Sequence, residues 1–483
     1  MPAGKEEMKM WMRTEEDRQA AVPRERPGAR MLRHPALRCA VMICLCFLLT
    51  STAWLAWEYH LLEQLAPRKS DAMTMVAGYL FQAAGMGLFA LLLRRWPDKT
   101  EKAVPLAVLL HTLCLIPAIL SGSLAAVLIF GFLMYLLCGY IAGYYLLLLT
   151  RAVDTNRRGT ALGVGYSVSI LASWALSRLD GGTIYYSDRV WVICLALTAL
   201  ILFLILWEQR QPLDERNTPP APEAAVQPKL RALLLSLGGV VLLFSVVNNS
   251  GFAFSSADLV QGIRVEHSRL FYAVGLILAG LVTDRDRRYG AIAALSALVI
   301  PFVMLALRGQ PLSLTVFWAL NYFTYGFYSV YRMIVFSDQA WKCGLLPLAC
   351  FGLMIGRVGD ALGEAVCLAL SENATALIFL TALLFVAAVF LFFHSYHPLY
   401  APETVRQQSE RERFYQFSVQ HDLSSRERDM LRLLLEEKTN GEIAAALSIS
   451  ENTVKFHIRN LLQKTGCKNR QDLLATYTHY FSA

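Results

Sequence analysis

The stretch 374–393, ATALIFLTALLFVAAVFLFF, has twenty residues and no charge. A helix of that length reaches about 30 Å, the hydrocarbon thickness of a bilayer. Lipid offers the backbone no water to bond, so a helix is required there. After Phe393 the composition changes. Pro398, Pro402 and a charged run from Arg406 to Arg413 are too polar for lipid and read as a helical connector, 394–422. Upstream of 374, eleven more apolar runs recur, at 36–57, 71–93, 103–121, 124–150, 159–178, 190–207, 230–254, 268–282, 290–307, 311–336 and 343–369, the eighth being the shortest.

Of the 483 residues 55% are hydrophobic and 17% charged, and the mean hydropathy is +0.42, which excludes an ordinary soluble globular protein. The first run is too long for the apolar core of a signal peptide and lacks a small-residue cleavage site, so it is expected to stay in the chain. All ten cysteines except Cys467 lie in or beside apolar runs, with no CxxC pair and no Cys/His cluster. They read as reduced, buried thiols, and no metal site or cofactor is expected.

Loops rich in Lys and Arg stay in the cytoplasm. The tail 1–35 carries Lys5, Lys9, Arg13, Arg18, Arg24, Arg26, Arg30 and Arg33, and alternate loops continue the bias, with Arg94 and Arg95, Arg151 and Arg157, Arg210 and Arg216, Arg287 and Arg288, then Lys342. Both termini are therefore expected on the cytoplasmic side of the cell (inner) membrane in a multi-pass protein, the side from which residues 394–483 can meet DNA. The linker 208–229, with Pro212, Pro219, Pro220, Pro222 and Pro228, separates six spans in 36–207 from six in 230–393. Two halves of six point to a duplication.

The loop after the eighth run reads Gly280-Leu281-Val282-Thr283-Asp284-Arg285-Asp286-Arg287-Arg288. The matching place after the second run keeps Gly87, Arg94 and Arg95 at the same offsets, with Leu91 where Asp284 would be. This signal, the six-plus-six layout and the long central loop resemble the major facilitator superfamily over residues 36–393. The resemblance implies that Gly280, Asp284, Arg285, Arg287 and Arg288 help latch the cytoplasmic side in alternate conformations.

Polar residues inside spans are costly and so mark candidate sites. Asn321, Tyr325, Tyr328 and Arg332 form one stripe of the tenth span, and Arg357, Asp360 and Glu364 share a face of the eleventh. Gly352, Gly356, Gly359 and Gly363 form a separate face suited to close helix packing. The charges then face a cavity, with Asn248 and Asn249 of the seventh span, as a ligand site or gate. The competing reading is structural glue, with the charges neutralising one another and the tyrosines packing. The first half offers only His111, Tyr140, Tyr144 and Tyr145, and no acid deep in a span.

From Leu423 onward four short helices follow from their end signals. Ser424 with Glu427 and Thr439 with Glu442 are capping boxes; Ser450 caps a third helix that Gly466 stops; Asn469 caps a fourth running to Tyr480. Two short helices joined at Ser448–Ser450 and then a longer one describe a helix-turn-helix. In the third helix Val454, Ile458, Leu461 and Thr465 face inward, while Asn452, Lys455, Phe456, Arg459 and Gln463 lie opposite. Residues 450–470 carry five basic side chains against Glu451, whereas 421–483 as a whole are only +1, so positive charge concentrates on the reading helix. Residues 423–474 resemble the LuxR/GerE helix-turn-helix family through Leu423-Ser424-x-Arg426-Glu427, Asn440-x-Glu442-Ile443-Ala444, Ile449-Ser450-Glu451-x-Thr453-Val454-Lys455-x-His457 and Lys464-x-Gly466. The resemblance implies that Lys455, Phe456 and Arg459 face base edges of double-stranded DNA, that Asn452, Thr453 and His457 lie near phosphates, and that the fourth helix helps dimerisation. Phe456 is bulkier than usual at its position, and Thr465 replaces a usual leucine.

The expected protein is an all-α polytopic membrane bundle of six plus six spans with a four-helix DNA-binding domain, 423–483. Its expected function is that of a one-component membrane regulator, which senses an unidentified small-molecule inducer and binds DNA as a homodimer. The alternatives are a secondary transporter with a regulatory DNA- or protein-binding tail and a scaffold whose helix-turn-helix binds protein. An enzyme finds no support, as there is no phosphate loop, catalytic constellation or cofactor fingerprint.

Overall fold

The computed structural model describes residues 35–178, 184–187, 189–208, 228–250, 265–307, 314–400, 414–436 and 438–479. The basic tail, the centre of the Pro-rich linker, connector residues 401–413 and Tyr480 lie outside the described residues. The chain divides into two units, up to Ser395 and from Tyr396 onward. Among the described residues there is no strand.

The first unit comprises α1 (Pro35–Gln64), α2 (Tyr79–Arg95), α3 (Val104–Leu120), α4 (Leu124–Ala152), α5 (Arg158–Arg178), α6 (Val190–Glu208), α7 (Pro228–Asn249), α8 (Val265–Arg285), α9 (Arg287–Ala297), α10 (Val299–Leu307), α11 (Leu314–Lys342), α12 (Phe351–Ala369) and α13 (Ala374–Tyr400). Each of the twelve expected spans contains a helix among the described residues, α9 and α10 together forming the ninth; the eleventh, expected from residue 343, begins as a 3-10 turn at Leu346, and residues 251–254 and 311–313 lie outside the described residues. Pro301 has no N–H to give the Ala297 carbonyl, and the helix breaks at Leu298. Among the described residues ten helical stretches are long and apolar enough to cross a membrane. α8 and α11 are of spanning length but more polar: Arg269 on the first, and Asn321, Arg332 and Asp338 on the second, are buried against protein. A π-helical stretch, Ala72–Gly78, leads into α2.

Lipid tails are as apolar as leucine, so close backbone approach at small residues replaces the hydrophobic effect in holding such helices together. The same pairs recur in both halves. Second packs on fourth: a Cβ on Gly85 would stand 1.8 Å from the Leu136 carbonyl oxygen, and one on Gly275 2.0 Å from that of Phe323. First packs on fifth, α1 on α5 and α7 on α12. Third meets sixth through Thr112–Thr198 at 2.6 Å in one half and Phe302–Phe385 rings at 5.4 Å in the other. The halves themselves meet along α5–α8 and α2–α12. The glycine face of α12 does what the sequence implies, Gly352 meeting α11 and Gly359 and Gly363 meeting α7.

The second unit holds α14 (Ser425–Leu435), α15 (Asn440–Leu447), α16 (Glu451–Thr465) and α17 (Arg470–His479). Both capping boxes form, and Ser450 accepts the Thr453 N–H at 3.2 Å. The turn places Ser448 in the left-handed region at φ 53°, and Gly466 ends α16 at φ 69°. Met430, Leu431, Leu434, Ile443, Val454, Leu461 and Leu473 form the core. Phe417 joins them from the helical stretch 414–420, which the sequence reading places in the connector.

Candidate nucleic-acid interface and interhelical cavity

α16 is oriented by its buried edge. Val454 and Leu461 are fully enclosed, each contributing about 1.5–3 kcal/mol, and Thr465 satisfies its hydroxyl on the Leu461 carbonyl at 2.9 Å. The opposite edge is left to solvent: Asn452, Lys455, Phe456, Arg459 and Gln463 are exposed, Phe456 by 58%, while Thr453 and His457 are half-buried at its border. Lys468 and Arg470 line one groove with Lys455, Arg459 and Asn440. Those two cations were not among the expected contacts, although the basic run after Lys464 signals them. Lys464 corrects the charge count in the other direction. It turns inward, donating to Glu427 Oε2 at 2.9 Å and to the Asp422 carbonyl at 2.8 Å. Burial pushes the Glu427 carboxyl up, but Lys464 and the Ser424 N–H outweigh it and hold the group below the usual carboxylate range.

In the membrane unit the stretch 280–288, expected as a loop, closes α8 and opens α9 with only Asp286 between them, and it divides by role. Asp284 accepts the N–H of Gly159 at 2.8 Å and of Thr160 at 2.6 Å, at the start of α5. Arg287 donates to Asp284 at 2.9 Å, to Asp338 at 2.7 Å and to the Thr155 carbonyl. Arg158 reaches the other Asp338 oxygen at 2.9 Å. Gly280 admits Gly159, since a Cβ there would stand 2.5 Å from the Gly159 carbonyl oxygen. Arg285 is exposed, and Arg288 pairs with Asp286 at 2.6 Å. Asp338 and Arg158 belong to this contact but lie outside the motif, so the motif alone does not find them.

A cavity lies between the halves, toward the ends of α8 and α11 remote from that contact, with Tyr272 on α8 and Trp318 and Tyr325 on α11 in its wall. Arg332, Arg357, Asp360, Glu364, Asn249 and Tyr325 line it as expected. Tyr328 sits behind, hydrogen-bonded to Ser245; Asn248 and Asn321 are buried outside its wall. Asp360 Oδ2 accepts Arg332 at 3.0 Å and Arg357 at 3.1 Å. Glu364 instead pairs with Asn249 at 2.9 Å, so the three charges of α12 do not simply neutralise one another.

The first half corrects the expectation of no deep acid. Glu58 is 2% exposed and lines the cavity, because α1 continues to Gln64, beyond the apolar run that ends at residue 57. Trp54, Tyr79, Gln82, Tyr135 and Tyr166 join it. Thr50, Trp54 and Glu58 at helical spacing were the available signal. Of the first-half residues expected here, His111 and Tyr145 line the wall, whereas Tyr140 is spent on the Thr100 carbonyl at 3.0 Å.

Residues 421–476 match the sequence profile of bacterial regulatory proteins of the luxR family. The spore germination protein GerE of Bacillus subtilis is 52% identical over 48 residues, 10% of this chain and 65% of that protein. The nitrate/nitrite response regulator NarP of Escherichia coli is 50% identical over 54 residues, 11% of this chain and 24% of NarP. The chain thus spans less than two thirds of the length of these curated relatives. The crystal structure of the human organic anion transporter MFSD10 covers 76% of this chain and all of its own, with a TM-score of 0.55 and 14% identity. Residues 421–476 form a LuxR-family helix-turn-helix DNA-binding domain, and the larger unit shares the fold of that transporter.

Proposed function

We propose that the protein is a membrane-anchored one-component transcriptional regulator, in which the transporter-like unit senses a small molecule and the LuxR-type domain binds promoter DNA. The observation that carries this reading is the exposed basic face of α16 in the same chain as a bundle of membrane-spanning helices. Lys455, Phe456 and Arg459 are assigned to base edges, and Asn452, Thr453 and His457 to the phosphate backbone. Both termini are assigned to the cytoplasmic side of the inner membrane, and two copies to each operator. A ligand bound between the halves shifts their arrangement only by its difference in affinity for the two states, and the connector passes that shift to the paired DNA-binding domains.

Genome-wide occupancy of the tagged full-length protein tests the proposal. Discrete promoter sites are expected, with weaker occupancy and relaxed preference at one base pair on Arg459→Ala. A reporter fused after Ala483 that proved active only outside the cytoplasm would overturn the reading. Ligand accumulation in sealed vesicles would favour a transporter with a regulatory tail; against it stands Leu91, exposed where the second half has its latch acid.

A further inference from the structure

Arg357 is a poorly satisfied cation of the cavity. Of a guanidinium's five N–H donors, it uses one among the described residues, Nη1 to Asp360 at 3.1 Å, and its Nε is buried without a partner. The acid it uses is already shared, since Arg332 bonds the same oxygen at 3.0 Å. Arg332, whose Nε is likewise buried without a partner, is better served at its fork, with the hydroxyls of Tyr325 and Tyr328 at 2.9 and 3.2 Å, and its side chain is 2% exposed against 16% for Arg357. Two guanidiniums on one carboxylate leave positive charge in a low dielectric, which is costly until an anion completes it. Arg357 also lies 4.4 Å over the Tyr79 ring of the opposite half, which holds its fork between the halves. Three arginines and three acids line the wall as a whole, so the surplus at Arg357 is local and suits one negative charge rather than several.

The geometry points to a monoanionic aromatic carboxylate as the ligand of this cavity, its carboxylate paired with the Arg357 fork and its ring among Trp54, Trp318 and Tyr322. This assignment rests on the sensor reading above and specifies its ligand class.

Equilibrium dialysis of the full-length protein in lipid nanodiscs tests it, with benzoate, phenylacetate and indole-3-acetate as probes and benzamide and benzylamine as neutral and cationic counterparts. At least one carboxylate should bind saturably, with the amide and amine about tenfold weaker or more. Arg357→Gln should abolish that preference. Arg357→Lys, which keeps the charge beside Asp360 and guards against loss of fold, should still bind several-fold more weakly, because an ammonium has no fork. Absence of saturable carboxylate binding, equal binding of the amine, or unchanged affinity in both variants would overturn the assignment. Arg357-dependent carboxylate binding that left promoter occupancy unchanged would overturn the sensor reading alone. A non-carboxylate that binds and alters occupancy would do the reverse.

Discussion

The Asp284 carboxylate of the second half is bonded to the backbone of the first, taking the N–H groups of Gly159 and Thr160 at 2.8 and 2.6 Å. Those are orphan donors at the start of α5, where the helix dipole also favours negative charge. Arg287 fixes the same carboxylate and ties it to Asp338 of α11. One acid therefore joins three helices across the two halves. Asp284→Asn keeps the volume but removes the charge, and should weaken the contact by about 2 kcal/mol. A cysteine placed at Thr160 should then be alkylated faster in the Asp284→Asn background than in the parent. Equal labelling rates would mean that Asp284 latches nothing.

Glycines of the bundle differ sharply in what surrounds them. A Cβ on Gly352 would stand 1.7 Å from the Arg332 carbonyl oxygen, so α11 and α12 would have to part, and with them Arg332 and Asp360. Gly352→Ala should cost about 1–3 kcal/mol. At Gly87 the added methyl meets only Met354 Sδ at 3.5 Å, an ordinary contact. Gly87→Ala should be neutral, or stabilising by up to about 1 kcal/mol through helix propensity. Thermal midpoints of the two purified variants should separate, and coincident midpoints would contradict this account.

What was legible in the sequence was what is local. Ser424, Thr439 and Ser450 cap the helices they were expected to cap, because a cap is decided within four residues. The outward edge of α16 was equally legible, since its period needs no knowledge of partners. The cavity was not. Glu58 stands one position beyond its apolar run, and its inclusion depends on how far α1 continues. Asp338 and Arg158 join Arg287 only once α5, α9 and α11 have converged. Asn321 and Tyr328 shared a stripe with Arg332, yet the stripe is wider than the cavity wall.

Arg459 is exposed on the outer edge of α16, and nothing in the domain's core depends on it. Arg459→Ala should cost about 1–3 kcal/mol of specific binding and relax preference at one base pair. His457→Ala, at the half-buried border, should weaken all sequences alike. Footprints on the preferred site and on mismatched sites separate the two. An Arg459→Ala protein with parental affinity and preference would remove α16 from the groove.

Lys464 gives the opposite expectation, because its charge serves the fold. Its bond to Glu427 helps hold that carboxyl below its unfolded value, so the pair stabilises the domain above the usual glutamate range and ceases to do so as pH falls through the lower folded value. Lys464 is 39% exposed, and screening by water trims the contribution to about 1 kcal/mol or less. Protection factors of α14 and α16 in the full-length protein, that is, exchange corrected for the intrinsic rate at each pH, should therefore fall on acidification below the usual glutamate range. Lys464→Met should exchange faster than the parent at neutral pH and lose part of that acid dependence, while site preference in a footprint stays as it was. If parent and variant exchanged alike at every pH, the ion pair would carry no stability, and Lys464 would return to the count of groove-facing cations.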